Sequence, residues 1–292
     1  MLTCKEYTDL SKIELKEYIK ETGLKPKLVV IQVGDRPESN SYIRGKMLDC
    51  EEVGIECVVK KHPDNISEER LIERIKEVNR DKSVHGLIVQ LPLPDHINAK
   101  NVTSWVREDK DVDGFVVDSP FDPCTPSGVI GYLKHIGYEF EGKDALVIGR
   151  SPIVGKPLAD MLTDLNCTVT LAHSKTRRID GHVAFADVIF TCIDKIEYFE
   201  DELDFPVSPD TDVIDVGLGA GEDGKLHGNI KQSYVEYIKN LQFNDKFIIS
   251  GTGGVGLLTR LSLLENVVKA CEMQTPHPFL TKKFCVSGEE SC

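Results

Sequence analysis

Short apolar runs alternate along the chain with stretches in which apolar side chains recur every three or four positions, and the two periods predict strands and helices in turn. Lys27 to Gly34 reads as a buried strand, and a helical pattern from about Ser39 to Glu52 closes at Gly54. Ile55 to Lys60 predicts a second strand, and Ser67 to Asn79 a second helix with Leu71, Ile72, Ile75 and Val78 turned inward. Gly86 to Gln90 predicts a third strand, stopped by Pro92 and Pro94. A second half repeats the logic, with a strand over Asp144 to Gly149 and a helix over Lys156 to Leu165. Further strands are expected at Thr168 to Ala172, Val188 to Ile193, Val213 to Val216 and Phe247 to Ile249, and a last helix over Leu257 to Glu272. Strand–helix–strand order implies parallel pairing with helices packed on the sheet faces, hence an α/β fold. Asp118 to Ser127 is rich in Pro and polar residues and is expected to link two domains with a cleft between them. The boundaries predicted are 1–122, completed by the helix at about 257–273, then 123–256, then a tail over 274–292.

Composition narrows the possibilities mainly by exclusion. The 292 residues are 40% hydrophobic and 28% charged, ordinary for a globular protein of this length. A net charge of −13 argues against general affinity for nucleic acid or an anionic membrane surface. No apolar run approaches the roughly 20 residues a membrane span needs, and Met1 to Glu6 lacks a signal-peptide layout. The nine cysteines are odd in number and scattered, with no Cys-x-x-Cys pair. They suggest neither a metal site nor a disulfide framework, and fit small core residues in a reducing cytoplasm.

Chemistry enters at Gly149-Arg150-Ser151-Pro152-Ile153-Val154-Gly155, which joins an apolar strand to an amphipathic helix. Glycines let the backbone approach a ligand closely, and a helix N-terminus offers unpaired N–H groups and partial positive charge to a pyrophosphate. The same residues would equally make an ordinary βα turn with a structural glycine. The following strand bears on this choice. NAD sites of the Rossmann type usually carry an acid about 20 residues on, against the ribose 2′-hydroxyl. Here Thr168 to Ala172 runs into His173-Ser174-Lys175-Thr176-Arg177-Arg178, with no carboxylate before Asp180. A hydroxyl and three cations in that place favour a 2′-phosphate, hence NADP over NAD, although a solvated basic turn would look the same. The second domain is accordingly expected to be a Rossmann-type NAD(P)-binding domain.

The first helical stretch carries an oddity. Tyr42, Ile43, Lys46, Met47, Cys50 and Val53 fall within one arc of about 140°, with Lys46 near its centre. A lysine in mid-stripe snorkels outward, is paired, or lines a cleft where its ammonium works. Gln90 ends a strand, where ligands of α/β sheets gather, and Lys110-Asp111-Val112-Asp113-Gly114 supplies carboxylates in a glycine-closed turn. Together they describe a cleft with a lysine, a hydrogen-bonding amide and an acid.

These residues also carry a family likeness. Tyr42-x-x-x-Lys46, Val89-Gln90-Leu91-Pro92-Leu93-Pro94, Lys110-Asp111-Val112-Asp113-Gly114, Pro123-Cys124-Thr125-Pro126, Gly149-Arg150-Ser151-x-Ile153-Val154-Gly155-x-Pro157 and His173-Ser174-x-Thr176 occur in one order. The set resembles the bifunctional methylenetetrahydrofolate dehydrogenase/methenyltetrahydrofolate cyclohydrolase family, over roughly Pro26 to Lys269. The resemblance implies NADP-dependent oxidation of 5,10-methylenetetrahydrofolate to the methenyl cation, then hydrolysis to 10-formyltetrahydrofolate. It implies tetrahydrofolate one-carbon derivatives as partners and a homodimer as the assembly. It makes 1–122 the folate-binding catalytic domain and 123–256 the NADP-binding one. By the same likeness Lys46 moves protons during ring opening with Gln90 as its partner, Tyr42 stacks on the folate, and Asp113 holds the pterin amide edge. Arg150 and Ser174 would contact the 2′-phosphate, and Gly149, Ser151 and Leu218 would line the nucleotide site.

The chain also departs from the family. Thr-Pro-Val-Pro-Gly-Gly-Val-Gly-Pro-Met-Thr is usual before the last helix. Here Ile249-Ser250-Gly251-Thr252-Gly253-Gly254-Val255-Gly256-Leu257-Leu258-Thr259 keeps the Gly-Gly-Val-Gly core, loses three prolines and gains a glycine. Fewer fixed φ angles predict a looser loop. The segment between Gly114 and Pro123 is shorter than usual and lacks the family's Asn and Gly. A dehydrogenase for another small substrate, a relative with one of the two activities, and a non-catalytic dinucleotide sensor are the alternatives to the bifunctional enzyme.

Overall fold

The computed structural model describes residues 2–201, 205–208, 210–221, 225–241, 248–249 and 254–275. Contacts divide the chain into two compact units, one of Glu6–Cys124 with Arg260 onward, the other of Thr125–Thr259 with Met1–Lys5. We call them the N-terminal and central units. The helices and strands in chain order begin with α1 (Cys4–Thr22), β1 (Lys27–Val33), α2 (Pro37–Val53), β2 (Glu56–His62), α3 (Glu68–Arg80), β3 (Gly86–Val89) and the short α4 (Ala99–Thr103).

In the N-terminal unit the sheet order is β2-β1-β3, all parallel. β1 is the middle strand and is covered on both faces, which is why it reads as an unbroken apolar run. Leu28 and Val30 face one core cluster with Ile43, Cys50 and Val53 of α2. Val29, Ile31 and Val33 face another with Leu71, Ile75 and Val78 of α3. The predicted helices stand at their expected places, with polar punctuation. Pro37 opens α2, and Gly54 closes it at φ 92°, its N–H bonded to the Cys50 carbonyl. The Ser67 hydroxyl accepts from Arg70 N at the start of α3.

One helix lies outside the sequence reading, and one expectation needs correction. α1 was not foreseen, because its buried face carries Thr8, Ser11 and Lys12 while Leu10 and Ile13 point to solvent, which blurs the helical period. The stripe on α2 is buried on one side only: Ile43, Cys50 and Val53 are buried, whereas Tyr42 and Met47 are each 43% exposed. Lys46 thus stands on the boundary between core and solvent.

The central unit continues with α5 (Cys124–His135), β4 (Asp144–Ile148), α6 (Gly155–Asp164), β5 (Thr168–Ala172), α7 (Ile179–Phe185), β6 (Val188–Thr191), β7 (Asp212–Asp215), the hairpin β8 (Leu218–Ala220) and β9 (Leu226–Gly228), α8 (Gln232–Leu241) and β10 (Ile248–Ile249). The predicted linker is therefore helical in its last four positions, Cys124 to Ser127. The sheet order is β10-β7-β6-β4-β5, wholly parallel. The chain leaves β4 for β5 on one side and returns to β6 on the other, so strand order reverses at β4. Crevices for ligands form outside the carboxyl ends of strands at such a point. Residues 250–253 of the altered loop and 276–292 of the predicted tail lie outside the described residues.

The last helix, α9 (Val255–Gln274), contributes to the N-terminal unit from Arg260 onward. Leu263, Leu264, Val267, Val268 and Cys271 enter the same core as α2. Glu265 is buried on this helix, and burial pushes its carboxyl up to about 8. A carboxyl in an unfolded chain titrates near about 4.3. The folded state therefore holds a proton the unfolded state has lost, and stability falls as pH rises from about 4.3 to about 8. Glu265→Gln keeps the shape of the neutral acid and should remove a cost of roughly 3–5 kcal/mol near pH 8. The melting temperature should then rise by roughly 5 °C or more at pH 8 and change little at pH 4.5. An equal shift at both pH values would mean that ionisation of Glu265 is not what limits stability. Among the described residues, no helix is long and apolar enough to cross a membrane.

Candidate functional site

Two groups of residues carry chemistry, one in each unit. In the N-terminal unit, Lys46 Nζ donates to Gln90 Oε1 at 3.2 Å, and Gln90 Nε2 donates to the Leu91 carbonyl at 2.7 Å. The amide is therefore oriented with its oxygen toward the lysine. Gln90 itself follows β3 directly, its N–H bonded to Ile31 O, so the sheet end places it. The Lys46 ammonium also acts electrostatically on Asp113, Cys124, Cys50 and Cys57.

Asp113 reaches this group through a tight chain reversal. Gly114 has φ 69°, and a Cβ there would meet backbone of Asp122 and Pro123 at 2.6 Å, so only glycine lets the two segments cross. The crossing brings Cys124 Sγ to 3.9 Å from Asp113 Oδ1 and 3.2 Å from the Val112 carbonyl. Burial pushes the Asp113 carboxyl up, against the opposing pull of the Lys46 ammonium and the Cys124 thiol. Asn266 on α9 pins the crossing, its Nδ2 donating to Val112 O at 3.0 Å and Asp122 O at 3.3 Å. The other charged residues of this motif are structural. Lys110 is buried with Nζ on the Val78 and Asp81 carbonyls at the end of α3, and Asp111 accepts from Val116 N at 2.8 Å.

α2, which carries Tyr42 and Lys46, is anchored by a buried ionic cluster. Asp49 Oδ1 lies 2.5 Å from Lys12 Nζ and Asp49 Oδ2 lies 2.9 Å from Arg260 Nε, tying α1 and α9 to the turn that follows Lys46. Although burial pulls it down, Asp49 and Glu52 hold the Lys12 ammonium above its usual value. Gly45 leaves room for the Arg260 guanidinium, whose Nη1 would stand 2.3 Å from a Cβ at that position.

In the central unit, Gly149 follows β4 at φ 121°, and a Cβ there would lie 2.2 Å from the Cys192 carbonyl oxygen. A Cβ at Gly155 would lie 2.0 Å from Gly149 O, so both glycines are required for this turn. Gly149 N bonds to Ala172 O, which sets the exposed Arg150 and Ser174 just beyond the ends of two paired strands. The basic turn is shaped by its own residues: His173 N donates to Thr176 Oγ1 at 2.8 Å, and Thr176 N to His173 O at 2.8 Å. Ser151 Oγ accepts from Gly155 N at the entry to α6. Leu218 opens β8, paired with Gly228 of β9, three positions after the buried Asp215, which accepts from Thr191 Oγ1 at 2.7 Å and from Asn229 N at 2.9 Å. Glycines, an N-terminal helix turn and exposed cations at a strand-order reversal suit a dinucleotide carrying an extra phosphate.

Residues 2–113 match the sequence model of the tetrahydrofolate dehydrogenase/cyclohydrolase catalytic domain, and residues 123–275 that of the same family's NAD(P)-binding domain. The chain belongs to this family. Relatives include the bifunctional protein FolD of Ruminiclostridium cellulolyticum, 42% identical over 265 residues, covering 88% of this chain and 90% of that protein. The FolD protein of Listeria innocua is 38% identical over 277 residues, with 92% and 94% covered. Among solved structures, the bifunctional FolD methylenetetrahydrofolate dehydrogenase/cyclohydrolase of Campylobacter jejuni matches with a TM-score of 0.84 at 36% identity, covering 94% of this chain and 98% of that one. The FolD of Trypanosoma brucei, solved with NADP cofactor and an inhibitor, matches at 0.81 with 26% identity, covering 94% and 97%.

Within this family frame, the structure brings Lys46, Gln90 and Asp113 into one group and leaves Tyr42 open to solvent beside it. Sequence reasoning assigned no role to Cys124, Asn266 or the Lys12–Asp49–Arg260 cluster. Two signals were available: Cys124 stands inside a quoted motif, and Glu265-Asn266 interrupts the apolar run Leu263 to Val268.

Proposed function

We propose that this protein oxidises 5,10-methylenetetrahydrofolate with NADP and hydrolyses the methenyl product to 10-formyltetrahydrofolate. The observation that carries the reading is the Lys46 Nζ–Gln90 Oε1 hydrogen bond at 3.2 Å, with Asp113 beside the same ammonium. The membership of the chain in a dehydrogenase/cyclohydrolase family supports the same conclusion.

In this reading the N-terminal unit binds folate and the central unit binds NADP. Asp113 holds the amide edge of the pterin and Tyr42 offers its exposed ring to the flat folate system. The methylene carbon lies between two nitrogens whose lone pairs stabilise the cation left by hydride departure, so oxidation is chiefly a matter of positioning. NADP, when bound, supplies the hydride acceptor. Gly149, Ser151 and Leu218 would line its site, and Arg150 and Ser174 would take its 2′-phosphate. Hydrolysis begins with water adding to the methenyl carbon. Lys46, oriented by Gln90, then exchanges the proton that lets one carbon–nitrogen bond open. Cytoplasmic location and assembly as a homodimer belong to the same reading, supported by scattered free cysteines and by the family resemblance respectively.

The purified protein given methylenetetrahydrofolate and NADP or NAD, with methenyl formation and decay followed by absorbance, tests this proposal. Transient methenyl with preference for NADP is expected. Methenyl that accumulates without decaying would leave a dehydrogenase alone, and nucleotide binding without turnover would leave a sensor.

A further inference from the structure

Glycine in the middle of a helix is unfavourable beside alanine, so Gly45, the residue before Lys46 on α2, needs a cause. Its backbone is not left-handed, so turn geometry does not call for it. The cause is Arg260 of α9. Its Nη1 would stand 2.3 Å from a Cβ at position 45, and its Nε stands 2.9 Å from Asp49 Oδ2. Residues 45 and 49 share one face of α2, so the guanidinium lies along the turn that carries Lys46. The pair with Asp49 is close but not aligned, because Oδ2 makes no hydrogen bond among the described residues. Charge and the space above Gly45, rather than a directed bond, hold the guanidinium there.

The same helix is fixed to the other member of the site. Further along α9, Asn266 Nδ2 donates to Val112 O and Asp122 O, in the crossing that carries Asp113. Tied to Asp113 through Asn266 and to the Lys46 turn through Arg260, α9 sets one against the other. The remaining contact between α2 and α9 is apolar and has no direction of its own: Ile43 and Val53 share a core with Leu264 and Val267. We propose that Arg260 is a positioning residue, whose guanidinium acts through Gly45 and Asp49 to fix the turn of α2 that presents Lys46. The effect on turnover rests on the function proposed above; the brace itself does not. A misplacement of about 1 Å at a reacting group can cost up to about 10²-fold, so a shift of this turn too small to unfold the unit is read in turnover.

Gly45→Ala and Arg260→Met remove this brace from its two sides. The methyl added at position 45 meets the far end of a long side chain, so the guanidinium shifts and the helix, now with the better helix former, stays. Arg260→Met keeps the apolar stem and drops the fork, and Lys12 still holds the other oxygen of Asp49. Each variant should lower kcat for methenyl hydrolysis by about 10- to 100-fold. KM for the methenyl substrate should stay within about threefold of the parent's, since the lost interaction belongs to the reacting geometry. The double variant should lose no more than either single, because both changes act on one contact. Arg260→Lys keeps a cation for Asp49 without the fork that reaches Gly45. Adding Gly45→Ala to Arg260→Lys should therefore change kcat by less than about threefold.

Parent-like kcat in Gly45→Ala or Arg260→Met would overturn the proposal. So would losses that multiply in the double variant, or a fall in kcat matched by an equal loss of folded protein by circular dichroism. Amide hydrogen exchange supplies a readout that needs no folate chemistry. In Arg260→Met, peptides of α2 should exchange faster than in the parent, while those of β4 and β5 keep the parent's rates. Exchange along α2 at the parent's rate would overturn the brace. Absence of methenyl turnover in every sample, parent included, together with a loosened α2, would strike the proposed function and leave the brace intact.

Discussion

Lys46→Met is expected to lower methenyl hydrolysis by about 10²- to 10⁴-fold, the range a positioned proton-transfer group contributes, while NADP binds nearly as in the parent. Methionine fills much the same volume and suits a position between core and solvent, so α2 should keep its place. That place is set by contacts other than the ammonium: Ile43, Cys50 and Val53 in the core, and Asp49 between Lys12 and Arg260. What the substitution removes is the donor to Gln90 and the cation beside Asp113. The Asp113 carboxyl, already raised by burial, should rise further without that cation, shifting any pH dependence of folate binding upward. Titrating NADP into the variant and timing methenyl decay separates the two sites. Hydrolysis surviving at near the parent rate would remove Lys46 from its role; loss of NADP binding would indicate a general failure to fold.

The parts of this fold that could be read from sequence are those where one physical demand dominates. β1 is covered on both faces and is therefore apolar throughout; α3 has one wet face and one dry, with Ser67 at its start. Gly54 and Gly149 mark turns that other residues would strain. What was hidden obeys two demands at once. α1 buries Lys12 because Asp49 and Glu52 wait for it from another helix, a partnership no local pattern reports. Asn266 sits in an apolar run because it must satisfy carbonyls of a crossing built around Gly114, more than 100 residues earlier. Lys46 was legible for the opposite reason: charge in an apolar stripe is costly enough to need a cause.

Replacing both Arg150 and Ser174 by alanine should raise the KM for NADP by about 10- to 100-fold, as loss of charge-assisted bonds to a phosphate would. NAD lacks that phosphate, so its KM should stay within a factor of about two, the nucleotide's remaining contacts being the same. The geometry favours the pair acting together. Arg150 follows β4 and Ser174 follows β5, two strands in register from Asp144↔Thr168 to Ile148↔Ala172, so the side chains leave the same sheet edge on neighbouring strands. Both are exposed, and the Thr176 and His173 bonds hold the turn without calling on the Ser174 hydroxyl. The double substitution should therefore leave the turn folded. Part of the attraction is long-range, because Lys175, Arg177 and Arg178 stand nearby, and the preference for NADP should weaken as salt is raised. Measuring both constants at two ionic strengths distinguishes contact from field. Equal losses for NADP and NAD would place these residues at the shared pyrophosphate instead, and the absence of an acid after β5 would then say nothing about which cofactor is used.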